Sequence, residues 1–144
     1  MAHTYANNFV HCVFSTKERA NTIPEARREQ LWAYLVGVAK NEGFSVLAAC
    51  GTANHVHALI LLPASISSSD AVKNLKSNSS RWMGPRFAWQ EGYGAFSVSP
   101  SQLPDLKAYI ANQPEHHKKR NFEEEFIALL KKCEVDYDPK FVFG

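Results

Sequence analysis

An α+β fold is what the sequence predicts: one antiparallel sheet with helices packed on it. Three observations lead there. Short runs rich in β-branched and aromatic residues alternate with longer stretches whose apolar residues recur every three or four positions. Their order is strand, helix, strand, strand, helix, strand, then further helices. One strand, within Asn54–Pro63 (N-H-V-H-A-L-I-L-L-P), is apolar on both faces, as an interior strand of a sheet must be. That order is the split β-α-β topology of a ferredoxin-like, RRM-like sandwich, whose first and third strands are central neighbours.

Each element has its own justification. Asn8–Ser15 (NFVHCVFS) has strand composition, with His11 facing the same way as Phe9 and Val13. Thr16–Asn21 is a charged turn carrying Lys17 and Arg19. Thr22-Ile23-Pro24-Glu25 combines a threonine cap, a glutamate three residues on and a proline in the first turn. It predicts a helix of about 20 residues with Leu31, Leu35 and Val38 inward, stopped by Gly43. Phe44–Ala53 returns to strand character, and Gly51-Thr52-Ala53-Asn54 turns it into the histidine strand as a hairpin. Ser65–Ser69 leads into a second helix with Asp70 in its first turn. Val72, Leu75, Ser79 and Trp82 form its inner stripe, and Gly84-Pro85 ends it. Phe87–Ser99 is aromatic-rich and bends at Gly92 and Gly94 into a fourth strand. Pro104-Asp105 opens a third helix, expected to run to about Gln113 and break at Pro114. Glu123–Cys133 reads as a last amphipathic helix, with Phe122, Phe126, Leu129 and Cys133 on one face. Tyr137–Phe143 reads as an aromatic arm docked in extended form. With no internal repeat or linker, residues 1–144 are expected to form one domain.

Composition narrows the setting. At 144 residues, 45% hydrophobic and 21% charged, the chain can bury a real core. No apolar run approaches the roughly 18–20 residues of a membrane span, and the N-terminus lacks a signal-peptide pattern, so a cytoplasmic protein is expected. Three cysteines without a C-x-x-C pair exclude a disulfide framework and a zinc knuckle; Cys12 and Cys50 read as buried thiols. A net charge of +2 names no partner, but its distribution is uneven. Ala71–Gln90 holds no acidic residue while carrying Lys73, Lys76, Arg81 and Arg86, and His116–Arg120 reads H-H-K-K-R. Such patches suit phosphate backbones, although a solvated helix face has the same composition.

The residues suited to chemistry lie in two places. His55 and His57 project to one strand face, where two imidazoles either chelate a divalent cation or hydrogen-bond at a strand end. Tyr109 and Gln113, four apart on the third helix, share a helix face. Trp89 and Tyr93 offer flat rings for stacking on unpaired bases, or for packing.

The N-H-V-H strand, the basic helix, W-Q-E-G-Y-G-A-F-S-V-S and the Tyr-x-x-x-Gln helix together resemble the single-tyrosine HUH transposases. These are enzymes of small insertion sequences and their repeat-associated relatives. The resemblance runs from the F-S-T-K-E-R turn to the E-E-F-I-A-L-L-K-K helix. It implies a metal-dependent single-strand DNA transposase acting on single-stranded DNA with hairpin ends, as a homodimer. It further implies that His55 and His57 bind Mg²⁺ or Mn²⁺ with Gln113 as third ligand, and that Tyr109 is the nucleophile. A cation suits the task because phosphodiester oxygens repel a nucleophile. Lys73, Lys76, Arg81 and Arg86 are the candidate contacts to the DNA backbone, with Lys17 and Arg19 as further ones. Asn112 rivals Gln113 if the helix is rotated, and Tyr93 rivals Tyr109 without a liganding residue at helical spacing. His116 and His117 are rival ligands unless Pro114 turns them away. His11 either supports a metal ligand or packs in the core. Two other readings remain: a non-cutting module that binds hairpin DNA or RNA, and a hydrolase of small phosphoesters in which Tyr109 is dispensable.

Overall fold

The computed structural model describes residues 3–143. Four strands, β1 (Asn8–Ser15), β2 (Ser45–Gly51), β3 (His55–Leu62) and β4 (Gly94–Val98), form one sheet in the order β2-β3-β1-β4. Every pairing is antiparallel. β1 and β3 are the central neighbours, as the split topology requires. Their alternation sorts the two faces. Cys12 and Phe14 of β1, with Val56, Ala58 and Ile60 of β3, build the larger core against α1 (Glu25–Glu42) and α2 (Ser68–Met83). Each fully buried Leu or Val there contributes about 1.5–3 kcal/mol. The opposite face presents His11 and Val13 of β1 beside His55 and His57 of β3. It is covered by α3 (Leu103–Ala111), the single turn α4 (Gln113–His116) and α5 (Phe122–Lys132). Val13, Phe96, Phe122 and Leu130 form a second, smaller core under α5.

Several local expectations are corrected. Helix α1 begins at Glu25 and has 18 residues, because Pro24 is extended (φ −61°, ψ 141°) and stands at the cap position without a side-chain cap bond. Thr22 turns its hydroxyl to Ala20 O (3.4 Å) and caps nothing. Gly43 closes the helix at φ 88°, as its type allows. Ser67 caps α2 by accepting from Asp70 N (3.0 Å). Val72, Leu75 and Ser79 are buried, whereas Trp82 is only half-buried and stacks on Tyr34.

Trp89 packs in the core and donates its indole N–H to Ser79 Oγ (2.9 Å). Cys12 is buried, Cys50 only partly so, and both are free thiols. Helix α3 ends at Ala111, so the expected break is present and Gln113 stands past it, but Pro114 does not stop the chain from re-entering a helix. It falls in the first turn of α4, where its missing N–H leaves nothing unsatisfied, and the chain stays helical through His116. The tail is turned, with Phe141 N and Val142 N both donating to Asp138 O (3.0 Å), and Phe143 packs on Phe122 and Phe126. No helix among the described residues is long and apolar enough to cross a membrane.

Candidate metal and tyrosine site

The site is built on the second sheet face. The register pairs Val13 with His57 and His11 with Leu59, so His11 and His57 are diagonal neighbours across β1 and β3. His11 Nε2 lies 2.8 Å from His57 Nδ1, with the rings 5.0 Å apart. His55 is held at the hairpin end, where its Nδ1 is 2.9 Å from Asn54 Oδ1 and 3.0 Å from Thr52 Oγ1. Asn54 is itself oriented by its amide nitrogen, which donates to Arg19 O (3.4 Å).

The helices close over this face. Tyr109 and Gln113 project together, as their spacing predicts, and Gln113 is fully buried. Gln113 Oε1 is 3.0 Å from His55 Nε2, and Gln113 Nε2 donates to Glu125 Oε2 (3.1 Å). Glu125, from α5, is the hub that sequence reasoning missed. Its Oε1 lies 2.8 Å from His57 Nε2, 3.0 Å from His117 Nε2 and 3.7 Å from His55 Nε2. Its Oε2 accepts from the Tyr109 hydroxyl and lies 3.4 Å from His116 Nε2. One signal for Glu125 existed. It sits three residues after Phe122 and four before Leu129, on the apolar stripe of its helix. His117, named as a rival ligand, is brought in because the chain stays helical past Pro114.

Burial and hydrogen bonding set the charges. Burial, reinforced by the neighbouring His57, holds both His11 and His55 neutral, each with its pKa lowered to about 3. Burial alone would push the Glu125 carboxyl up, but hydrogen bonds from His117 and His57 draw it below the usual carboxylate range. The Tyr109 phenol is pushed above its ordinary value, first by burial and then by its bond to Glu125, which holds the proton on the oxygen.

The donor set fits a divalent cation. Nε2 atoms of three histidines and a carboxylate oxygen of Glu125 lie within 4.8 Å of one another. Because Asn54 Oδ1 only accepts, His55 Nδ1 carries the ring proton, which leaves a lone pair on Nε2 facing another on Gln113 Oε1. A buried His116 Nε2 has no hydrogen-bond partner. Beside these groups, Tyr109 lines a cleft of about 530 Å³ between β4, α3 and α5, edged by Ser97, Arg120 and Lys132.

The remaining candidates lie apart. Lys73, Arg81 and Arg86 are exposed on or just after α2, across the sheet from the histidines. Lys76 spends its charge on Gln90 O (2.7 Å) and Gly92 O (2.9 Å). Lys17 is exposed. Arg19 pairs with Glu123 (3.2 Å) and donates to Phe143 O (2.7 Å), bolting the turn after β1 to α5 and the tail. Asn112 and Tyr93 are exposed and have no part in the cluster.

The sequence model of the family described as "Transposase IS200 like" matches residues 4–113. The chain belongs to the IS200-like transposase family. The matched stretch carries His55, His57, Tyr109 and Gln113 of this transposase and stops short of His117 and Glu125. No curated protein matches it. Among solved structures, a candidate transposase from Deinococcus radiodurans R1 is 23% identical, over 78% of this chain and 96% of that one, with a TM-score of 0.62. A REP-associated tyrosine transposase bound to a REP hairpin is 16% identical, over 81% of this chain and 73% of that one, with a TM-score of 0.64. At such identities the likeness is one of fold, and it is the α+β fold read from the sequence.

Proposed function

We propose that this transposase cuts and rejoins single-stranded DNA through Tyr109, with a divalent cation held by His55, His57 and Gln113. The observation that carries the reading is convergence: one strand and three helical segments of one chain bring a phenol, imidazoles and a carboxamide onto one buried carboxylate. The family resemblance implies Mg²⁺ or Mn²⁺ as the ion. When bound, the cation offsets the charge that builds on the scissile phosphate and helps align the bond.

The chain's own groups do the rest. His11 fixes the ring of His57, and Asn54 with Thr52 fixes that of His55. The phenolic proton of Tyr109 points at Glu125 Oε2, which receives it as the phenol oxygen attacks phosphorus. The bond from phosphorus to the 3′-oxygen breaks, and that oxygen leaves as a 3′-hydroxyl, taking a proton from Glu125 or from solvent. A 5′-phosphotyrosine remains. Attack on it by a DNA 3′-hydroxyl restores the phenol and completes strand transfer, one ester exchanged for another without ATP.

The substrate in this reading is a strand beside a folded hairpin, supported by the hairpin in the REP-associated neighbour. Lys17, Arg19, Lys73, Lys76, Arg81 and Arg86 are proposed as backbone contacts, with the exposed Lys17, Lys73, Arg81 and Arg86 the foremost of them because Lys76 and Arg19 are engaged within the chain. Residues 1–144 are taken as one transposase domain. A homodimer is proposed from the resemblance alone, since one chain already gathers the whole constellation.

The test is a denaturing gel of the protein incubated with single-stranded hairpin oligonucleotides and Mg²⁺ or Mn²⁺. A covalent adduct is expected, lost in Tyr109→Phe with the circular dichroism spectrum unchanged. An adduct that persists in Tyr109→Phe overturns the assignment.

A further inference from the structure

Glu125 poses a problem that the proposed ligand trio leaves unsolved. Its side chain is 2% exposed, and among the described residues its ion-pair partners within 4.0 Å are all histidines, never lysine or arginine. An uncompensated buried carboxylate is costly, so a positive charge belongs beside it. The spacing of the donors says where the charge goes. Ligands held at 2.0–2.1 Å in an octahedral or tetrahedral shell stand about 2.8–3.4 Å from their neighbours. Glu125 Oε1 stands 2.8 and 3.0 Å from the Nε2 atoms of His57 and His117, the spacing of neighbouring ligands on one ion, and 3.7 Å from that of His55, just outside it.

We propose that Glu125 and His117 are further cation ligands, giving this transposase a three-imidazole, one-carboxylate centre that selects a transition ion over Mg²⁺. The inference rests on the metal reading of the proposed function and adds to it. Both residues lie beyond the family-matched stretch, so the enlarged donor set is a property of this chain's C-terminal helices. Imidazole nitrogen suits late transition ions such as Zn²⁺ and Ni²⁺, with Co²⁺ beside them in affinity order, whereas Mg²⁺ takes oxygen ligands and keeps its waters. The two carboxylate oxygens divide the work: Oε1 faces the imidazoles, and Oε2 faces Tyr109 and Gln113. Gln113 then serves to orient Glu125 and His55 as much as to ligate.

The experiment titrates the purified full chain with CoCl₂, reading visible absorption, and repeats the titration with MgCl₂ in large excess. One Co²⁺ per chain is expected, unmoved by millimolar Mg²⁺. Glu125→Gln and His117→Ala should each weaken Co²⁺ binding at least tenfold, while the metal-free variants keep the wild-type circular dichroism spectrum. Wild-type affinity in both variants, or displacement by Mg²⁺, overturns the inference. Should a variant fold poorly, X-ray absorption at the zinc edge of the wild-type protein decides instead. Three imidazoles in the shell support the inference, and two overturn it. His55→Ala separates the levels. If it also binds Co²⁺ normally, the metal reading of the proposed function falls; if it alone loses the ion, only the enlarged ligand set falls.

Discussion

Tyr109 and Glu125, sixteen residues apart on helices α3 and α5, share a hydrogen bond in which the phenol donates to carboxylate oxygen Oε2. The bond keeps the phenol protonated, because a charged acceptor stabilises the neutral donor and would repel a phenolate. In the metal-free protein, Glu125→Gln is therefore expected to bring the Tyr109 pKa down toward the ordinary value of about 10. Tyrosine labelled with ¹³C at Cζ reports this in an NMR titration. A Tyr109 resonance that titrates no earlier in the variant would show that burial alone sets the shift.

His11 is expected to act through His57. It makes no hydrogen bond to Tyr109 or Glu125, yet its Nε2 lies 2.8 Å from His57 Nδ1 and orients that ring. His11→Ala should weaken cation binding about 10–100-fold, the usual cost of losing a group that orients a ligand. Isothermal titration with MnCl₂ measures it, and His11→Asn, which keeps a polar partner, should recover part of the loss.

Acid should destabilise the metal-free fold early. His11 and His55 have pKa values lowered to about 3 from 6.5, so the unfolded chain takes up protons that the folded one refuses. Their contribution to stability is complete above pH 6.5 and is lost as pH falls from there toward 3. Glu125, depressed below 4.5, adds a contribution present above that pH and lost beneath it. Both act in one direction. Urea midpoints should decline steadily from pH 7 to pH 4, and His11→Phe should flatten the upper part of that slope. A flat profile between pH 7 and pH 5 would contradict the neutral histidines.

Gly51 is expected to tolerate no side chain. A Cβ there would stand 2.0 Å from His55 O and 2.8 Å from Val56 Cα, both backbone atoms that cannot step aside. Gly51→Ala should cost about 1–3 kcal/mol by overpacking and displace His55. A lower urea midpoint together with weaker Mn²⁺ binding is the expected pair of results.

Much of this was legible in the residues, and the parts that were not have physical reasons. Period-two and period-four spacing placed His55 with His57 and Tyr109 with Gln113, because those periods are geometric and hold wherever the elements form. The central position of β3 followed from its two apolar faces. Glu125 is hidden in the sequence as one of three consecutive glutamates at a helix start, where acidic residues are ordinary, and Glu124 does bond back to Asn121 there. Only tertiary packing distinguishes the buried member of that trio. His117 stays ambiguous in the sequence because a proline either breaks a helix or opens one, and only the structure places Pro114 in a first turn. The basic residues of α2 were legible as a charged face, but composition carries no information about which side of the sheet that face occupies.

Glu125 stands 68 positions after His57, on the last helix among the described residues. Synthesis runs from the N-terminus, so β1 and β3 leave the ribosome long before their covering helix exists. Until then the imidazoles stand on an open sheet surface, and the nascent chain has no finished chemistry to misapply. The buried carboxylate that gathers the site is therefore supplied later in synthesis than the strand it closes over.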